Sequence, residues 1–129
     1  MNKIFIEVSV GELFDKISIL EIKKDKIKDP DKLSFISDEL SKLKEELNKN
    51  VKQDAKLTQL FQSLKIINLR LWDIEDEKRK CEKEKDFTER FIKFSRDVHI
   101  LNDNRAKIKS EINIHTGSKI KEIKEYTNY

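Results

Sequence analysis

Three places in the chain put polar side chains where a helix would be expected to bury apolar ones. Glu21 stands beside Ile17 and Leu20. Asn68, Trp72, Glu75 and Arg79 succeed one another at spacings of four, three and four along the flank of an apolar seam, with Asp76 next to Glu75. Arg105 takes a seam position outright, and Asn102 and Asn113 lie beside it. These residue types can do chemistry. Arg79 and Arg105 present planar forks that grip a carboxylate or phosphate through paired hydrogen bonds. Glu21, Glu75 and Asp76 could move a proton or hold a divalent cation through oxygen. A buried carboxylate or guanidinium costs several kcal/mol unless it is paired. The same groups could therefore serve as internal ion pairs, Glu21 or Glu75 against Arg105, that fix the register of a helical bundle. Both uses require these segments to converge.

A resident metal or cofactor finds little support in the residues. Cys81 is the only cysteine, and the two histidines, His99 and His115, are sixteen positions apart with no thiol near either, which argues against zinc. Neither a haem motif nor a glycine-rich phosphate loop can be composed from two glycines placed as these are. Carboxylates recur at i, i+3 in Glu12/Asp15 and Asp73/Asp76, the spacing by which some helical hydrolases hold magnesium. Such pairs arise by chance on charged helices and assign no metal.

The elements that must position these side chains are helical. In 129 residues, 41% are charged and 36% hydrophobic, with two Gly and one Pro, a balance that suits long solvated helices with narrow apolar stripes. Ser9 and Glu12 form a capping box that starts a first helix over 10–28. Its stripe of Val10, Leu13, Ile17, Leu20 and Ile27 is opposed by Ile19 and Ile22, so both faces need cover. Asp29 and Pro30 open a second helix over 30–48, with Leu33, Ile36, Leu40, Leu43 and Leu47 as its seam. A third helix over 54–85 carries Leu57, Leu60, Leu64, Ile67, Leu71, Ile74 and Cys81. Asp86 and Glu89 read as a second capping box, opening a fourth helix over 87–116 that ends at Gly117. Before the helices, Ile4, Ile6 and Val8 alternate with Phe5 and Glu7 as a short strand would, within an extended lead-in over 1–9. The tail, 118–129, is expected to be a short helix or irregular.

Twenty-eight basic and 25 acidic residues are interleaved to a net charge of +3, without the basic patch by which proteins hold nucleic acid. The N-terminal apolar run is too short for a signal peptide, and no stretch approaches the roughly 18 apolar residues of a membrane span. These features point to a cytoplasmic protein. Because the third and fourth helices outreach the first two, part of their seam would be bare in a monomer, and a homodimer is expected.

The segments 7–23 (EVSVGELFDKISILEIK), 71–79 (LWDIEDEKR) and 101–113 (LNDNRAKIKSEIN), in this order, resemble a family of small, uncharacterised bacterial proteins known only as a domain of unknown function. The likeness spans nearly the whole chain. It implies one compact domain over 1–129 and a bacterial source, and it implies no activity, cofactor or catalytic residue.

The sequence thus predicts an all-α antiparallel bundle of four main helices, two short and two long, with a short N-terminal strand. Its expected role is that of a self-associating binding module for a protein or a small anion. The alternative is a small helical enzyme acting on a phosphorylated or carboxylated metabolite, with Glu21, Glu75 and Arg105 meeting at one cleft.

Overall fold

The computed structural model describes residues 2–120 and 122–129. Four helices account for most of them: α1 (Val10–Lys26), α2 (Pro30–Asn50), α3 (Ala55–Glu84) and α4 (Glu89–Thr116). At about 1.5 Å per residue, the 30 residues of α3 and 28 of α4 make rods of about 42–45 Å, against about 25 Å for the 17 residues of α1.

The punctuation follows local chemistry. Ser9 Oγ accepts from Glu12 N at 3.1 Å and opens α1. Asp29 Oδ1 accepts from Asp31 N at 3.0 Å and Pro30 supplies the first turn of α2, where its missing N–H costs nothing. Asp54 Oδ1 accepts from Leu57 N at 2.8 Å and opens α3. Gly117, at φ 66, ends α4 in the left-handed conformation that leaves Ser118 N free to bond Asn113 O at 2.9 Å.

The expected capping box at Asp86 and Glu89 does not form, and α4 starts two residues later than predicted, at Glu89 after an N-cap Thr88. The preceding helix is the cause. Lys85 turns left-handed at φ 58, and Asp86 N reaches back to Cys81 O at 2.8 Å, closing α3. The Asp86 carboxylate then folds onto Thr88, accepting from its N–H at 3.1 Å and its hydroxyl at 2.5 Å. Asp86 is consumed by the turn and cannot also cap the helix.

The N-terminal strand is a second correction. Residues 2–9 are irregular, and no strand occurs among the described residues. A strand requires a ladder partner. The C-terminal tail supplies none: Glu122 is held at Lys109 and Tyr129 at Asp103, both on α4. Ile4, Phe5 and Ile6 are left 85%, 87% and 76% exposed.

Helix α1 is the hub, packing against α2, α3 and α4. That placement answers its two apolar faces. Leu13, Phe14, Ile17 and Leu20 enter a core with Ile36, Leu40 and Leu47 of α2, Leu57, Leu60 and Leu64 of α3, and Ile112 of α4. Ile22, on the opposite side, is buried as well. The α3–α4 pair is antiparallel: His115 meets Asp54 at one end (2.8 Å) and Arg90 meets Glu77 toward the other (2.7 Å). Beyond the reach of α1, the hairpin tip relies on its own contacts. Phe87 and Phe91 pack edge to face at 5.4 Å, and Arg90 gathers Glu77, Glu84 and Asp86.

No helix among the described residues is long and apolar enough to cross a membrane.

Candidate functional site

The polar residues divide into a network centred on a buried carboxylate and an open cleft, with Arg105 belonging to both. Asp15 is the centre of the network. It sits on the second face of α1, aligned with Ser18, Ile19 and Ile22 at helical spacing, so covering that face with α3 and α4 buries it to 1% exposure. From α3, Asn68 Nδ2 donates to Asp15 Oδ1 at 2.9 Å and to Ser18 Oγ at 2.7 Å. The Ser18 hydroxyl donates in turn to Asp15 O at 2.8 Å. From α4, Arg105 grips the same carboxylate in bidentate fashion, Nε to Oδ1 at 2.9 Å and Nη2 to Oδ2 at 2.5 Å.

One turn along α4, Lys109 is buried with its ammonium 2.8 Å from Glu12, 2.8 Å from Glu122 and 3.8 Å from Asp15. Among the described residues no buried side-chain nitrogen or oxygen lacks a partner. This satisfaction is what makes the burial tolerable, since an unpaired charge at such a depth costs several kcal/mol.

The ionisation states follow from these contacts. Burial is the largest influence on Asp15 and would raise its pKa, but hydrogen bonds from Arg105 and Asn68 and the charges of Arg105 and Lys109 together hold it below the ordinary carboxylate value. Arg105 is held above its ordinary value, first by its bond to Asp15. For Lys109 burial again opposes the charge, and Glu12 and Glu122 outweigh it. The network is therefore ionised throughout the neutral range.

The cleft lies beside the network, between α1, α3 and α4, with a volume of about 400 Å³. Ile19, Ile22, Leu71 and Trp72 supply its apolar wall, and Asn68, Glu75, Asp76, Arg79 and Arg105 its polar one. Arg105 spends two of its donors on Asp15 and one on Asn102 Oδ1 at 3.3 Å. A guanidinium has five, so two donors remain on a group that is 28% exposed and lines the cleft. Among the described residues Arg79, which is exposed, is in no ion pair. Of the α3 carboxylates around it, Asp76 is engaged with Lys80, Glu77 with Lys80 and Arg90, and Glu84 with Arg90. Glu75, half-buried in the same wall, is in no ion pair among the described residues.

Of the nine residues singled out from the sequence, Asn68, Trp72, Glu75, Asp76, Arg79 and Arg105 therefore line one cleft, and Asn102 braces Arg105, whereas Asn113 lies apart from the cleft and accepts from Gly11 N at 2.7 Å. Glu21 is elsewhere. It bridges Lys44 of α2 at 3.3 Å and Lys65 of α3 at 3.1 Å. Six residues separate it from Asp15, a rotation of about 240° that carries it to another side of α1. The three-way meeting of Glu21, Glu75 and Arg105 consequently does not occur. Asp15 takes the role expected of Glu21 or Glu75 as the partner of Arg105. Its signal was present in the sequence: Asp15 and Ser18 interrupt the second apolar stripe of α1.

The i, i+3 carboxylate pairs do not come together either. Glu12 and Asp15 face Lys109, whereas Asp73 pairs with Lys26 at 3.5 Å and Asp76 with Lys80 at 3.5 Å. Among the described residues no group of three or more His, Cys, Asp and Glu side chains is placed to hold a metal ion.

A family model described as a family of unknown function (DUF6165) matches residues 4–129. No curated protein and no solved structure matches the chain.

Proposed function

Since the chain belongs to that family, which brings no assigned activity, we propose from its geometry that the protein is a binding module for a small organic anion held in the cleft between α1, α3 and α4. One observation carries the reading: Arg79 and the spare donors of Arg105 meet the apolar wall of Trp72, Leu71, Ile19 and Ile22 in one solvent-reachable space. Its volume, about 400 Å³, lies within the range of small-molecule sites. The ligand that fits bears a carboxylate or phosphate for the two arginines, a flat apolar body for Trp72, and a hydroxyl or amino group that donates to Glu75. Catalysis on such a ligand, with Glu75 as acid or base, is the narrower alternative. The network around Asp15 serves this site as a brace, because a guanidinium held at two atoms by a buried carboxylate keeps a fixed direction.

Phenyl phosphate tests the proposal. Amide and side-chain NMR shifts on titration should concentrate at Ile19, Ile22, Trp72, Glu75 and Arg79. Shifts scattered over the lysine-rich surface, or none at all, refute it.

Self-association is a second property we propose, supported by apolar side chains left in water. Phe35 on α2, Ile66 on α3 and Ile92 on α4 are 78%, 62% and 52% exposed, in addition to Phe5 and its neighbours on the N-terminal arm. Sedimentation at micromolar concentration should give a homodimer, and a monomer there discards the idea. We also assign the protein to a reducing compartment such as the bacterial cytoplasm, which suits a free, fully buried Cys81.

A further inference from the structure

The N-terminal arm is apolar and bare. Ile4, Phe5, Ile6 and Val8 are 85%, 87%, 76% and 39% exposed, ahead of a buried Ser9 that opens α1. A run of large apolar side chains standing in water marks a surface that another molecule covers. Lys3 precedes this run and Glu7 follows Ile6, so the arm reads base, apolar, acid. The cleft between α1, α3 and α4 carries the matching set. Trp72 belongs to its apolar wall, Glu75 and Asp76 suit a cation, and Arg79 and Arg105 suit a carboxylate. Arm and cleft are thus complementary in hydrophobicity and in charge.

The arm of the same chain cannot fill this cleft. Helices α1 and α3 run in the same direction, since Asn68 meets Ser18 and Asp73 meets Lys26. Lys26 ends the 17 residues of α1, which puts the level of Asp73 roughly 20–25 Å from Ser9. Trp72 is the neighbour of Asp73, and Arg79 lies beyond it toward the hairpin tip. Glu7 has a chain reach from Ser9 of about 7 Å, and Phe5 of about 14 Å. The direct route along α1 is closed as well, because Asp15 and Ser18 on that face are buried beneath Asn68 and Arg105. The arm of a second copy meets neither obstacle.

We propose that the protein dimerises by arm exchange: the arm of each copy lies in the cleft of the other, with Phe5 against Trp72 and Glu7 on Arg79 and the two unspent donors of Arg105. Two such contacts related by a two-fold axis close the assembly and use both arms. The inference builds on the reading of the cleft as an anion site, and it names that site's resident anion, the Glu7 carboxylate of the second copy. A free organic anion competes with the arm, so filling the cleft and holding the dimer together oppose one another.

Charge reversal tests the exchange, read by sedimentation of the full chain at micromolar concentration. Glu7 and Arg79 are both exposed and outside the core, so the variants keep their fold. Glu7→Arg and Arg79→Glu should each weaken the dimer about tenfold or more, as loss of a charge-assisted pair does. Mixing the two single variants should bring the dimer back, because each arm then meets a cleft of opposite charge only in the other chain. An unaltered chain that is monomeric, a dimer indifferent to Glu7→Arg, or a mixture no more associated than its components overturns the proposal. Phenyl phosphate separates this outcome from that of the small-anion function. Rescue by mixing without phenyl phosphate binding leaves arm exchange standing and removes the small-anion function, and binding without rescue does the reverse.

Discussion

Asp15→Asn removes one charge while keeping the shape of the side chain, and the structure fixes what that should cost. The carboxylate is 2% exposed and accepts from Asn68 Nδ2 at 2.9 Å, Arg105 Nε at 2.9 Å and Arg105 Nη2 at 2.5 Å. An amide offers one acceptor oxygen, so its NH₂ group must face either the Arg105 fork or the Asn68 amide, both of which are donors. Breaking a buried pair by removing one partner typically costs ~3–5 kcal/mol. Arg105 is 28% exposed and can turn part of its fork to water, which reduces the expected loss to ~2–3 kcal/mol. For a chain of this length that is a fall in Tm of roughly 8–12 °C. Urea unfolding should show a lower midpoint at unchanged slope.

The pH dependence gives the sharper check. The folded pKa of Asp15 is lowered from 3.8, so its contribution is present above that value and is lost as pH falls through the folded one. The stability gap between the two proteins should be full at pH 7 and close in acid. Adding Arg105→Met to Asp15→Asn should restore part of the loss, since the uncompensated guanidinium is then gone. A gap below ~0.5 kcal/mol at pH 7, the level of an ordinary surface change, refutes the reasoning, as does a gap that persists undiminished in acid.

Three other substitutions probe the frame around the site. Gly11→Ala should lose ~1–2 kcal/mol in urea unfolding despite alanine's better helix propensity, because its Cβ would lie 2.5 Å from the backbone oxygen of Lys109 and force α1 away from α4. Lys85→Gly should gain ~0.5–1 kcal/mol by relieving a left-handed residue at the α3 C-terminus, which thermal melting would register as a higher Tm. Glu21→Gln should cost no more than ~1 kcal/mol, because its bridges to Lys44 and Lys65 are solvent-reachable. A loss comparable to that of Asp15→Asn would mean that Glu21 shares the central network.

The helices were legible because their signals are local. Ser9, Asp29 with Pro30, and Gly117 each act within one turn, and the leucine seams of α2 and α3 repeat at spacings that only a helix satisfies. The polar flank of α3 was legible for the same reason, and Asn68, Trp72, Glu75 and Arg79 do share a cleft wall. Pairing between helices was not. Glu21 and Asp15 both flank apolar stripes of α1, and only the placement of the other three helices decides that Glu21 meets Lys44 of α2 and Lys65 of α3 while Asp15 meets Arg105 of α4. Turn chemistry misled at Asp86, where the closing of α3 competes with the opening of α4. The N-terminal alternation was a true pattern without a partner: strand periodicity says nothing about where a ladder comes from, and the tail's few polar contacts hold it to α4.

The cleft carries its own reporter, because Trp72 is the only tryptophan in the chain. Titrating phenyl phosphate while following Trp72 fluorescence should give a saturable change. Arg79→Ala should raise the apparent Kd about tenfold, as loss of a bidentate ionic contact does, while leaving the folded spectrum intact. A signal that does not saturate, or an affinity indifferent to Arg79, would contradict anion binding between α1, α3 and α4.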